Sequence, residues 1–205
     1  MTKAKKVKTV VCPEPKELSV DEAYTQMVRD LAKSGDDIVE GVTPAAAHML
    51  HMAVGISGEV GEILKCINTG MCMVNLDEES GDTEFYLEGL LFDTDLVMPV
   101  GRCNIMGNTP LDFAVAASIA AADVLDAVKK AAIYCKDLNE EVLMIALQKL
   151  VSALASLYNI TGLTRDGVRA TNQVKLLTGK NARYASGSYS DEQASDRADK
   201  DGDQD

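Results

Sequence analysis

The chain has 205 residues, 46% hydrophobic and 25% charged, a globular balance that excludes wholesale disorder and sets a size of one domain or two small ones. Aromatics are only 4%, with no Trp, so a composition rich in Ala, Leu, Val and Met favours helices over a β-sandwich. A formal charge of −12 and a pI of about 4.6 exclude a general nucleic-acid binder and favour cations as partners.

Residues 1–16 read as a loose basic arm ending in Pro13 and Pro15, without the apolar stretch of a signal peptide. Ser19 with Glu22 three residues on forms a capping-box pattern, which predicts a helix from Val20 to about Lys33. Thr43 caps a second helix with Pro44 at its first position, running to about Ile67. Met49, Met52, Ile56, Val60, Ile63 and Ile67 give that helix an apolar stripe. A short loop at Asn68–Gly70 leads to a third helix over about Asp77 to Phe92. Residues 93–110, with two Pro, two Gly and no period, read as a linker. Helices are expected again over Leu111–Tyr134, Asn139–Tyr158 and from Thr164 to about Leu177. Residues 185–205, rich in Ser, Asp and Gly, read as an acidic tail. No run of 18 apolar residues occurs; the nearest, Val142 to Ile160, is broken by Gln148 and Lys149, so no membrane span is expected. Five Cys in an odd set, none in C-x-x-C spacing, read as reduced thiols in a cytosol-like compartment.

The chain also repeats itself. Ala53–Ile67 lies over Ala114–Val128 at an offset of 61, with Ala, Val, Ser and Leu recurring in register. With one residue inserted, LDEE at Leu76–Glu79 lies over LNEE at Leu138–Glu141. The expected plan is therefore two helical hairpins, 17–92 and 111–184, forming an intrachain pseudo-dimer, with further homo-oligomerisation open. Glu59 falls on Ala120 and Asp82 on Met144 in this alignment, so the second copy is apolar at two positions where the first carries carboxylates.

Glu59 and Glu62 share a helix face one turn apart, and Glu79 and Asp82 do the same on the next helix. Two such helices packed antiparallel would bring four carboxylates to one groove. Like charges that close repel, and an all-oxygen donor set suits Mg²⁺, or Mn²⁺, rather than zinc. Gly55, Gly58, Gly61 and Gly81 sit in these helices at a cost of about 1 kcal/mol each against Ala. Close helix approach, or room for a ligand beside the carboxylates, is the expected reason. Solvated surface charge is the competing reading of each E-x-x-E pair. Lys65 is the one cation nearby in sequence.

GEVGE (Gly58–Glu62) followed by EESGD (Glu78–Asp82) resembles the E-E-x-x-E … E-x-x-D signature of the all-α nucleoside triphosphate pyrophosphohydrolases. This is the MazG-like group, related to the dimeric dUTPases. Residues 172–200, with Asn172, Lys175 and Leu176 ahead of Arg183 and Tyr184, are similar to that group's N-x-x-K-L … R-Y ending. Gly58 stands where the family carries the first Glu of its pair, and Lys65 where an Asp is common.

The resemblance implies an all-α, bundle-like fold and Mg²⁺-dependent hydrolysis of a nucleoside triphosphate, a deoxynucleotide by preference, to monophosphate and pyrophosphate. It implies metal held by Glu59, Glu62, Glu79 and Asp82, with Glu59 taking the proton of a metal-activated water. Lys175, Arg183 and Lys180 would clamp the outgoing pyrophosphate, with Asn172 and Tyr184 as hydrogen-bonding partners. Phe85 and Tyr86 are candidates for a base pocket or for plain core packing. His48 and His51, at i and i+3, are read as structural or base-facing rather than metal ligands. The compartment implied is the cytoplasm of a bacterium or of a phage-infected host. The alternative is a catalytically impaired relative that binds nucleotide or a protein partner.

Overall fold

The computed structural model describes residues 18–99 and 103–196. The basic arm at 1–16 and the end of the acidic tail lie outside the described residues. No strand occurs among those described, so the chain is all-α.

The chain divides into two compact units, Met1–Ile38 and Val39–Asp205. In the first, α1 (Val20–Leu31) starts at the expected capping box: Ser19 Oγ accepts from the Glu22 N–H, and Glu22 accepts from the Ser19 N–H. The next helix, α2 (Gly35–Gly41), was not expected from the sequence; Ser34 Oγ caps it by accepting from the Asp37 N–H.

The second unit is built on two long hairpins. The first joins α3 (Pro44–Asn68) to α4 (Met73–Thr94), and the second joins α5 (Pro110–Tyr134) to α6 (Glu140–Thr161). Thr43 and Thr109 cap α3 and α5 through their hydroxyls, each ahead of a proline that needs no N–H partner in the first turn. Each hairpin packs its two helices together, and α3 lies along α5 between them. α7 (Arg165–Gln173) then folds back onto α4 and runs into a π-helical turn, Val174–Thr178, before the short α8 (Asp191–Asp196). Gly162 ends α6 at φ +79, a left-handed conformation in which a side chain would be strained.

One core unites the hairpins. Met52, Ile56, Val60 and Ile63 of α3 meet Ala114, Ala117, Ala121 and Val124 of α5, with Leu87 and Leu90 of α4 and Leu143, Leu147 and Leu150 of α6. The alanines of α5 let the helix axes approach, and the leucines fill what remains. α6 is long and apolar enough to cross a membrane, yet half of that apolar window is buried in this core.

The first helices of the two hairpins share a burial spacing. Met52, Ala53, Ile56, Val60 and Ile63 are buried, and so are their partners at offset 61, Phe113, Ala114, Ala117, Ala121 and Val124. The second helices differ from the alignment given above. Ser80, Thr83, Glu84, Leu87, Leu90 and Leu91 are buried on α4, and the same spacing recurs 63 residues on as Leu143, Ala146, Leu147, Leu150, Ala153 and Leu154. The core stripe therefore lays Asp82 over Ile145, not over Met144, because packing follows the buried face rather than the LDEE/LNEE match.

Candidate metal and nucleotide site

α3 and α4 run side by side from a tight turn, which brings Glu59 of one helix level with Glu79 and Asp82 of the other. One carboxylate oxygen from each of the three lies within 4.8 Å of the others, all half-buried. The expected quartet thus resolves into three groups plus Glu62, which is exposed one turn on and reaches the others through its charge.

The electrostatics fit a cation. Burial pushes the Glu79 carboxyl up to about 8, helped by its hydrogen bond to Glu59 and by the charges of Glu62, Glu59 and Glu78. Burial also raises Glu59, with the Asp82 charge adding to it. Near neutral pH Glu79 therefore keeps its proton and donates it to Glu59. Three hard oxygen donors, two of them sharing a proton and the third paired with a lysine, match the donor type that Mg²⁺ or Mn²⁺ takes.

The cations that sequence neighbours do not supply arrive from far along the chain. Lys175 Nζ lies 2.6 Å and 2.5 Å from the two oxygens of Asp82 and 3.4 Å from Glu78 Oε1. Asn172 Nδ2 donates to Asp82 Oδ1 at 2.6 Å. Both expected contacts, Asn172 and Lys175, are therefore at the site, on α7 and the π-helical turn behind it. Arg183 is tied to the same turn, its N–H donating to the Lys175 carbonyl at 3.1 Å. Its charge acts on Tyr86, as do those of Glu59 and Asp82. Lys180 is exposed and makes no ion pair among the described residues, so the structure brings it to no carboxylate of the cluster.

What holds α7 in place was not anticipated. Glu84, only 3% exposed, accepts from Arg165 Nε at 2.8 Å and Arg169 Nε at 3.1 Å, and Arg169 Nη2 reaches Glu88 at 2.6 Å. These pairs and the Asn172 and Lys175 contacts form a ladder between α7 and α4. Gly81 lets the two helices close: a Cβ there would fall 2.8 Å from Asn172 Cβ and 2.9 Å from the Val168 carbonyl. The signal was present in the sequence as a charge inside a core stripe, Ser80–Glu84–Leu87–Leu91, facing an R-x-x-x-R spacing on α7. Glu78 was missed as a Lys175 partner for the same reason, its cation being 97 residues away.

The helix glycines divide. Gly55 and Gly81 are close-approach positions, Gly55 lying flat against the Tyr86 ring. Gly58 and Gly61 have nothing within 4 Å of where a Cβ would stand, so close helix approach does not explain them and the space beside Glu59 is open there.

Beside the cluster lies an apolar cavity of about 770 Å³. Phe85, half-exposed, lines it, while Tyr86 packs edge-on to both Phe85 and His51. Tyr184 lines it together with Ser188 and Tyr189, the last two from the acidic C-terminal stretch. His48 and His51 also line this cavity, His48 Nδ1 lying 2.6 Å from Asp93 Oδ2, and neither joins the carboxylate cluster. Asn172 belongs to both the cavity wall and the acidic cluster. No protein-family model, curated protein or solved structure matches the chain.

Proposed function

We propose that the chain is a MazG-like nucleotide pyrophosphohydrolase, splitting a nucleoside triphosphate to the monophosphate and pyrophosphate with Mg²⁺, or Mn²⁺, held by Glu59, Glu79 and Asp82 with Glu62 at the rim. The observation that carries this reading is the meeting of three carboxylates from two helices beside a chiefly apolar cavity, with Asn172 shared between them. Bound divalent metal would neutralise phosphate oxygens and acidify a water. The remaining work falls to side chains. Glu59, whose carboxyl burial raises above its usual range, is suited to accept the proton of that water. Lys175 and Arg183 are suited to bind the pyrophosphate; Lys175 would exchange Asp82 for a phosphate oxygen. Asn172 orients Asp82, and the ladder from Glu84 to Arg165 and Arg169 fixes the helix that carries Asn172. The intrachain pseudo-dimer belongs to the same proposal, with one competent site built from both halves, its carboxylates from the first and Asn172 and Lys175 from the second.

A second reading has a specific observation behind it. Lys175 already neutralises Asp82, and Gly58 removes one family carboxylate, as in a protein that binds nucleotide or a partner without turnover. Pyrophosphate release from deoxynucleoside triphosphates with Mg²⁺ separates the two. The hydrolase reading expects release that falls at least about a hundredfold in Glu59→Gln and Asp82→Asn. Nucleotide binding with no release in the unaltered chain favours the second reading.

A further inference from the structure

The cavity beside the cluster is larger than one unsubstituted base needs, and its walls are chiefly apolar: Leu176 and Leu177 from the π-helical turn, Phe85 from α4, and Tyr184 and Tyr189 from the C-terminal segment. Gln173, His51 and the Tyr184 hydroxyl line it as well, while four other polar side chains have partners of their own. Asn172 Nδ2 donates to Asp82, His48 Nδ1 lies against Asp93, and the Tyr189 hydroxyl donates to Asp191 Oδ1 at 2.7 Å. Ser188 Oγ lies 3.2 Å from Ser186 Oγ. Apart from His48, held by Asp93, and His51, no ionisable side chain other than the two tyrosines lines it. A ligand portion seated here gains chiefly from area and ring contact, because apolar surface dominates the walls.

We propose that this cavity takes a nucleotide base carrying a bulky apolar substituent, such as an aryl or alkyl group on an exocyclic nitrogen. The inference rests on the nucleotide reading above, since Asn172 ties the cavity wall to the carboxylates that would face the phosphates. The substituent lies along Leu176 and Leu177 while the ring packs against Phe85 and Tyr184. An unsubstituted base leaves that apolar surface wet.

The test uses uncharged nucleosides on the full chain without metal, so that it does not depend on turnover. Isothermal titration compares adenosine with N6-benzyladenosine. The expected result is that the benzyl compound binds about tenfold tighter, the gain from burying one extra ring. Leu177→Trp, verified as folded by circular dichroism, fills the apolar end and is expected to remove that preference. Equal or weaker binding of the benzyl compound, or no binding of either nucleoside, overturns the inference. Pyrophosphate release with equal nucleoside affinities would sink this inference and leave the hydrolase reading standing. A benzyl preference without any release would do the reverse.

Discussion

The two hairpins have helices of the same lengths, 25 and 22 residues each, and the same Thr-Pro start, yet they use their buried positions differently. Where α6 buries Leu143, Ala146 and Leu147, α4 buries Ser80, Thr83 and Glu84 at the same spacing. Where α5 buries Ala120, α3 carries the half-buried Glu59. The second hairpin spends nearly all of its inner face on packing, with Ser152, which accepts from the Cys103 N–H, as a buried polar group. The first gives up part of that packing so that carboxylates can stand between helices, and it recruits α7 to satisfy them. A buried carboxylate needs cations in place, and for Glu84 these are Arg165 and Arg169.

Exchanging residues between the hairpins should break the comparison most visibly. Leu147→Glu puts a carboxylate at a fully buried position with no cation provided, at a cost of about 4 kcal/mol, or roughly 10 °C in Tm. Glu84→Leu makes the opposite exchange and leaves two part-exposed guanidinium groups without their shared acceptor. Because water still reaches them, the expected loss is only about 2 kcal/mol, near 5 °C. Thermal unfolding followed by circular dichroism reads both. A harmless Leu147→Glu would mean that the second hairpin is not the dry scaffold described here.

Glycines sharpen the contrast on one helix pair. Gly81→Ala drives a methyl into Asn172 and the Val168 carbonyl, where backbone cannot yield, for an expected loss of about 1.5 kcal/mol. Gly58→Ala meets open space in a helix interior and should stabilise by up to about 1 kcal/mol. The two substitutions should thus move Tm in opposite directions, and a shared direction would show that Gly81 is not a close-contact position.

How far these features were legible in the sequence depended on range. Local chemistry read well: the Ser19 and Thr43 caps, Pro44 at a helix start, and the E-x-x-E and E-x-x-D pairs that place Glu59, Glu79 and Asp82 on facing sides of a hairpin. Asn172 and Lys175 were legible as candidates through resemblance, but their attachment to Asp82 is a tertiary contact. α2 was lost because seven residues carry too little periodicity to outweigh two glycines. The Glu84 network was lost because a charge in a core stripe makes sense only once Arg165 and Arg169 are known to lie across from it. The alignment of α4 with α6 failed by one residue for a related reason: charge letters matched where buried faces did not.

Stability against pH tests the carboxylate side of the comparison. Glu79 holds its proton up to about pH 8 in the folded chain and to about 4.5 when unfolded. The folded state therefore binds more protons between those values, so this contribution is complete below pH 4.5 and is lost as pH rises to about 8. Glu59 shifts in the same direction. The group is half-exposed, so water screening trims the effect to about 1 kcal/mol, or about 3 °C in the metal-free chain. Tm measured from pH 5 to pH 9 should fall across this window, and Glu79→Gln should flatten the slope. A metal-free Tm that rises from pH 5 to pH 8 would remove the case for crowded carboxylates.

The smallest effects belong to the acidic groups of the second hairpin, which stand in water. Asp126 pairs with Lys130 at 2.6 Å across one helical turn, with both side chains more than half exposed. Asp123, the counterpart of Glu62 in the repeat, pairs with Lys149 at 3.7 Å and is equally wet. High dielectric weakens each attraction, and fixing two long side chains offsets much of what remains. Lys130→Ala and Lys149→Ala should each lower stability by about 0.4 kcal/mol, near 1 °C in Tm. That loss should shrink further in 0.5 M NaCl, where screening is stronger. The contrast with Asp82 lies in burial rather than residue type, since the same Lys–Asp pairing at Lys175 is only 12% and 14% exposed. A loss of 2 kcal/mol at Lys130 would mean that the second hairpin also depends on its carboxylates, and the division of labour between the hairpins would fail.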